Sequence, residues 1–429
     1  MLNKTSQLKK TALLIALAGA MTSQSVHAAN WLMVQGTEKD HQAPRAKVWG
    51  FVQAEYQQTD DTKLKAGPYA GKAAAFNQMA PQLDTSQGFN VRRARIGVRG
   101  NNFPLDNKIN YFILAEFGNN GITTGGDASQ GQLTDASVTL NHIPGARIRA
   151  GLFKTPGAEE GLQAIPVFNY VNFTNVTDRL LLERHFDNST NNTGRSQSVG
   201  AFRDTGVQVF DAFRVGDWEH SYAVMLGNGN GLAMTDKDKH QDLYLYASTE
   251  KILDNSKGPR RAGLKFFAWM QDGKRTLDDV GTVDRKRSGL GTTYWDGKYR
   301  LAAEYITADG MIYGGTKGAG TPDDGATFSV LTDEKASGYY LDLGYRVLPK
   351  LELNVRYDML DSGTEEDANH REFQTTTLGA QYFFNKKTSV RLNYEMRSID
   401  APDLPAASPV HDILDSIDDR LSAQVSLVF

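Results

Sequence analysis

The chain has 429 residues, no cysteine, 41 glycines, 17 tyrosines and 20 phenylalanines. Without cysteine it can hold neither a disulfide scaffold nor a thiolate metal site. A formal net charge of −3 and the lack of any long basic run exclude a nucleic-acid footprint.

At the amino end, Lys4, Lys9 and Lys10 precede an apolar run from Ala12 to Met21. Val26-His27-Ala28 then places small or medium residues where cleavage needs them. This predicts a secretory signal peptide over 1–28, because a spanning helix needs ~20 apolar residues and this run is shorter. Removing 1–28 takes away three lysines and no acid, so the exported chain carries −6. Residues 29–45 are expected as a short periplasmic segment. The hydrophobic share of 40% suits a soluble domain and equally a barrel in which alternate residues face lipid. No later run approaches ~18 apolar residues, so any membrane crossing falls to strands.

From residue 46 onward the dominant period is two. Val48, Gly50, Val52, Ala54 and Tyr56 oppose Trp49, Phe51, Gln53 and Glu55. Ala94, Ile96 and Val98 oppose Arg93, Arg95 and Arg99. Ile109, Tyr111, Ile113 and Ala115 oppose Asn110, Phe112, Leu114 and Glu116, and Ile148, Ala150 and Leu152 oppose Arg147, Arg149 and Phe153. The same alternation predicts about sixteen strands, near 46–57, 89–100, 107–117, 133–141, 146–154, 204–213, 217–227, 242–251, 261–271, 286–294, 298–307, 337–346, 350–360, 373–383, 387–397 and 418–429. An open sheet cannot span hydrocarbon, where a bare backbone edge finds no partner. The expected fold is therefore all-β: a closed transmembrane antiparallel barrel over 46–429.

Connections alternate in length. The gaps at 58–88, 118–132, 155–203, 228–241, 272–285, 308–336, 361–372 and 398–417 are long. Between them lie tight turns such as His142-Ile143-Pro144-Gly145, Asp296-Gly297 and Asn385-Lys386, rich in residues that turns require. Short periplasmic turns and long outer loops are a barrel trait. The last segment, Leu421 to Phe429, alternates and ends on an aromatic, and resembles the terminal strand of bacterial outer-membrane barrels.

Parity turns Arg93, Arg95, Arg99, Arg147 and Arg149 inward. Arginine binds oxyanions through a planar fork of donors, and a row of them in a water-filled passage favours anions. Lys265, Arg300, Arg356, Arg391 and Arg420 share the parity. The bland alternative is that lumen charges pair across the wall, since Glu55, Glu116, Asp135, Glu304, Asp342, Glu352, Asp358 and Glu395 also point inward. Arg92 breaks the pattern by facing lipid, which requires a membrane boundary, a subunit contact or a bulge. The gap 155–203 contains an apolar stretch from Ile165 to Phe173, more than a solvated loop needs, and is expected to fold inward as a constriction. Lys154, Arg179 and Arg184 then face the anion path, with Glu159 and Glu160 opposing the arginine wall. Gly227-Asn228-Gly229-Asn230-Gly231 precedes no helix and is not a phosphate loop. No hydrolase or metal-ligand motif appears, so no catalytic residue, cofactor or metal is expected.

From Asn90 to Pro156 the chain resembles the phosphate-selective porin O and P family. The likeness rests on Val91 to Gly100, on Leu133-Thr134-Asp135-Ala136 and on Pro144 to Pro156. It implies a sixteen-stranded homotrimeric channel in the bacterial outer membrane that prefers phosphate-like anions. Two features depart from that pattern: the negative net charge and the short segment before the first strand. The expected function is passive diffusion of small hydrophilic solutes, leaning to inorganic anions such as phosphate. The alternatives are an uptake channel for another nutrient such as a carboxylate, or an outer-membrane lipid hydrolase.

Overall fold

A computed structural model describes residues 30–38, 45–80, 85–102, 105–124, 131–182, 200–254, 260–277, 281–313 and 330–429. The predicted signal peptide lies outside the described residues. Among those described, sixteen strands close into one antiparallel barrel. They are β1 (Lys47–Gln58), β2 (Gln87–Asn102), β3 (Asp106–Glu116), β4 (Gln132–Leu140), β5 (Arg147–Lys154), β6 (Arg203–Val215), β7 (Trp218–Gly227) and β8 (Asp242–Ile252), followed by β9 (Gly263–Leu277), β10 (Gly281–Trp295), β11 (Tyr299–Asp309), β12 (Lys335–Leu348), β13 (Leu351–Ser362), β14 (Arg371–Phe383), β15 (Thr388–Asp400) and β16 (Arg420–Val428). No helix among the described residues is long and apolar enough to cross a membrane.

Parity holds round the wall. Val48, Ile96, Ile113, Leu290, Leu341, Leu353, Leu378, Leu392 and Val425 are exposed outside, while Gln53, Glu116, Arg356, Asn393 and Gln424 are buried inside. Aromatic pairs mark both rims of the apolar band, as at a lipid–water boundary. Tyr299 stacks on Tyr345 with centroids 5.2 Å apart beside the short turns, and Tyr56 meets Phe89 at 4.9 Å near the long-loop end.

Arg92 is explained by a bulge. β1 and β2 pair in step as far as Gln53↔Arg93, then resume at Ala54↔Val91. The extra residue lets two successive arginines face the lumen, and Arg92 is 1% exposed.

One expectation needs correction. Most of 272–285 is not a loop: β9 runs on to Leu277 and β10 starts at Gly281, pairing Asp272↔Lys286 and Lys274↔Asp284. Both faces are polar there, with Asp272 and Lys274 exposed and Arg275 and Arg285 buried, so apolar alternation stops while the backbone ladder continues. Residues 30–38 lie against the inner wall of the barrel. Asn30 donates to Glu219 Oε1 at 3.1 Å, and Gln35 Nε2 donates to Asp135 Oδ1 at 3.0 Å.

Closure brings β1 against β16, with Phe51↔Val428 through Gln58↔Leu421. Beyond the ladder, the Phe429 N–H donates to the Gly50 carbonyl at 3.0 Å, and the Gly50 N–H returns a bond at 3.3 Å. A Cβ on Gly50 would lie 2.4 Å from the Phe429 ring and 2.3 Å from the Arg95 carbonyl oxygen. Gly50→Val is therefore expected to lower the refolded fraction severalfold, and Phe429→Ala to lower it less. Heat-dependent migration on gels reads both; unchanged refolding of Gly50→Val would remove the seam from the closing step.

Candidate functional site

The connection after β5 does not stay outside. Residues 155–182 fold into the lumen as a short helix (Glu159–Leu162), a 3-10 turn (Ile165–Val167) and a second helix (Asn175–Leu181). Local chemistry sets these elements. Lys154 Nζ donates to the Gly161 and Gln163 carbonyls at 2.7 Å each, closing the end of the first helix where carbonyls lack partners. The Thr174 hydroxyl accepts from the Thr177 N–H and caps the second.

The wall then grips the segment from several sides. Arg92 donates to the Val171 carbonyl at 3.0 Å and Asn172 Oδ1 at 2.9 Å, and faces Glu55 at 3.4 Å. Arg356 reaches Glu160 Oε1 at 3.1 Å and the Asn172 carbonyl at 3.2 Å. Arg391 holds the Pro166 carbonyl at 2.6 Å, and Arg287 the Leu180 carbonyl at 2.9 Å. From the segment, the Tyr170 hydroxyl donates to Asp342 at 2.5 Å and the Asn175 N–H to Asp358 at 2.8 Å. Apolar burial adds to these bonds: Leu162, Val176, Leu180 and Leu181 share a cluster with Phe210, Tyr246, Phe267 and Trp269 of the wall.

On the β2–β6 side the arrangement differs. Arg95, Arg99, Arg149, Lys154 and Arg203 line a cavity of about 270 Å³, with Lys386 at its short-turn end. No carboxylate lines it among the described residues. Counter-charges stand behind the surface: Arg95 pairs with Glu116 at 2.7 Å, Arg203 with Asp135 at 3.1 Å, and Arg99 with Glu38. Arg149 and Lys154 are met by uncharged oxygens, from Thr139 and Gln35 and from the first helix respectively. Arg149 also lies 4.3 Å over the Phe210 ring. The amino-terminal segment forms one side through Trp31, Leu32 and Val34.

Four of the predicted lumen cations thus converge: Arg95, Arg99, Arg149 and Lys154. Arg93 is buried and donates to Gln53 Oε1 at 2.9 Å without lining the cavity. Arg147 is held by Asp211 and also stands apart. Glu159 and Glu160 do not oppose the arginine wall. Glu159 accepts from Trp31 Nε1 at 3.0 Å and pairs with Lys265, while Glu160 faces Arg356 and Thr174. Burial pushes the Glu160 carboxyl up, against the pull of Arg356. Arg179 lies 3.8 Å over the Phe373 ring, in a second cavity of about 110 Å³ with Arg92, Arg397 and Arg420. Arg184 lies outside the described residues. Lys265, Arg300, Arg356 and Arg420 each have a carboxylate partner, and Arg391 is taken up by Gln424 and Pro166.

Sequence reasoning missed Arg203 and the amino-terminal wall. Arg203 sits one residue before the predicted strand, opposite Lys154, and shares the parity of the outward Val207 and Val209, so alternation could not have turned it inward. Nothing periodic marks residues 30–38. Among the described residues no group of three or more acids or histidines is placed to hold a metal.

Comparison at the family level matches residues 63–401 to the phosphate-selective porin O and P family. The chain belongs to this family. It is an outer-membrane channel protein, and solved structures of similar fold include one. The outer membrane channel DcaP of Acinetobacter baumannii is similar at a TM-score of 0.53 and 14% identity, covering 90% of this porin and 97% of that chain. An anion-selective porin from Comamonas acidovorans gives 0.53 and 13%, over 90% and 99%. A loop L8 deletion mutant of OmpT, an outer membrane protein of Vibrio cholerae, gives 0.52 and 10%, over 90% and 99%. At such identity these likenesses show the fold alone. No curated protein matches the chain.

The porin's most telling latch is Arg92, present only because of the bulge. Breaking a buried pair from one side costs ~3–5 kcal/mol, less where water reaches the orphaned charge. Arg92→Leu removes the charge facing Glu55 and frees the Val171 carbonyl and Asn172 Oδ1. It should speed amide hydrogen exchange across residues 168–176 at least tenfold; unaltered protection there would show that Arg92 does not hold the segment.

Proposed function

We propose that this porin passes small hydrophilic solutes by diffusion and favours anions. The observation that carries the reading is the cavity on the β2–β6 side, lined by six cationic side chains and, among the described residues, no carboxylate. Elsewhere in the barrel the inward charges largely cancel, as Arg300 does with Asp342 and Glu352. Along this side an anion meets the cations first, and this lowers its entry barrier. The carboxylates of Glu116, Asp135 and Glu38 stand behind Arg95, Arg203 and Arg99, and Arg149 and Lys154 hydrogen-bond to uncharged oxygens. Transport of this kind needs no turnover and no cofactor. Inorganic anions such as phosphate are within its reach.

Residues 155–182 serve as the constriction in this reading. They divide the lumen, and the cavities of about 270 and 110 Å³ flank them. The amino-terminal segment narrows the short-turn mouth, where Trp31 meets Glu159 and Asn30 meets Glu219. Assembly as a homotrimer, implied by the family resemblance, would leave each barrel its own passage.

Selectivity tests the proposal. In planar bilayers under a potassium chloride gradient, the reversal potential should lie on the chloride side. A unit charge about 4 Å from the path is worth ~1 kcal/mol in water, or roughly fivefold in permeability ratio. Arg149→Ala should therefore shift the reversal potential toward cations by about that ratio, as should Arg95→Ala, while Arg93→Ala, at a residue off the cavity, should shift it less. A cation-selective wild type overturns the anion preference, and unmoved potentials in the variants remove these arginines from it. Refolded protein lacking residues 30–38 should show higher single-channel conductance; equal conductance would mean that this segment does not narrow the passage.

A further inference from the structure

The same cavity has a second chemistry that inorganic anions do not use. Beside its cations stand Trp49, Phe51, Phe112 and Leu114 from β1 and β3, with Leu162 and Ile165 from the infolded segment. The rings form a shelf: Trp49 lies 6.5 Å from Phe51 and 5.6 Å from Phe112, centroid to centroid. Two of the cations are seated on it, Arg95 at 5.6 Å over Phe51 and Arg99 at 5.3 Å over Phe112. Cationic and apolar surfaces are thus adjoining parts of one recess.

We infer that this recess is a binding site for a small organic anion with an apolar body, of the size of a single-ring carboxylate. The inference rests on the reading of the barrel as a channel that admits anions, and narrows what it holds best. The size fits. A dry cavity of about 150 Å³ takes a benzene ring, and 270 Å³ leaves space for a carboxylate beside it. The charge fits, because Arg149 and Lys154 hydrogen-bond here only to uncharged oxygens while nearby Asp135 is held by Arg203, so a ligand carboxylate would be the first acid to bond them directly. The apolar side discriminates. A bare phosphate against Phe112 and Leu114 loses hydration without a hydrogen bond in return, whereas a ring removes its own apolar surface from water. A planar guanidinium seated on an aromatic face also suits a flat ligand sliding alongside it.

Block of chloride current through the wild-type protein tests this directly. Benzoate, acetate, inorganic phosphate and neutral benzyl alcohol are each added on the side of the short turns. Benzoate should halve the current at a concentration at least about tenfold below that of acetate or phosphate, and benzyl alcohol should not block at comparable concentration. Phe112→Ser, checked for folding by heat-dependent gel migration, should shrink the benzoate advantage to under about threefold while leaving acetate unchanged. Benzoate and acetate within about twofold of one another in the wild type overturn the site. Equal block by benzyl alcohol also overturns it, because the cations then play no part. The reversal potential in potassium chloride separates the two readings. A cation-selective channel that benzoate still blocks keeps the site and discards the anion preference; an anion-selective channel without benzoate block discards the site alone.

Discussion

A peptide N–H or carbonyl that meets acyl chains has nowhere to place its hydrogen bond, and each such failure costs several kcal/mol. That constraint dictates the rest of this molecule. It requires every strand to have two neighbours, so the first and last strands must find each other across 370 residues of chain. They do so between Phe51 and Val428, and Phe429 extends the seam to Gly50, whose missing side chain leaves room for the aromatic ring. Once the sheet closes, a period of two becomes a division between lipid and lumen. Polar residues that would be ruinous on the outer face become affordable on the inner one.

The interior that results is not an open tube of charges. Guanidinium groups are placed inward by parity, and several are then taken up by the segment that folds back into the barrel. Arg92, Arg287, Arg356 and Arg391 donate to its backbone carbonyls. Those carbonyls come from short helices and turns, whose ends leave acceptors unsatisfied. Lumen cations satisfy them where water would otherwise have to. A reading of charge alone counts these arginines as an anion path, but their hydrogen bonds assign them to holding the segment.

What was legible in the sequence follows from where lipid and water alternate. All sixteen strands could be placed from parity, because each has one face in hydrocarbon and one in the lumen. Even Arg92 announced the bulge by violating the pattern. Legibility ends where that contrast ends. In the extensions of β9 to Leu277 and of β10 from Gly281, both faces are polar and nothing apolar repeats, although the ladder continues. Residues 30–38 are ordered by single tertiary bonds, such as Gln35 to Asp135, that leave no periodic trace. Pairing partners were equally hidden. Arg147 and Arg149 share a face, yet one is neutralised by Asp211 across the strand pair and the other lies over Phe210. Parity gives the face of a residue and says nothing of what waits there.

The apolar residues inside the barrel give the division of labour its physical cause. Phe210, Tyr246, Phe267 and Trp269 point inward from β6, β8 and β9, where a water-filled channel has no use for them. Their partners are Leu162, Val176, Leu180 and Leu181, so the inward apolar surface is matched by an infolding apolar surface. Burial of this kind is non-directional and could seat the segment loosely; the guanidinium–carbonyl bonds fix where it stops. The segment therefore leans on the β6–β15 wall and leaves the β2–β6 side to the cations. Asymmetry of the lumen arises from this contest between hydrophobic filling and charge. The basic recess beside Phe51 and Phe112 is the space that neither the filling nor the counter-charges take up.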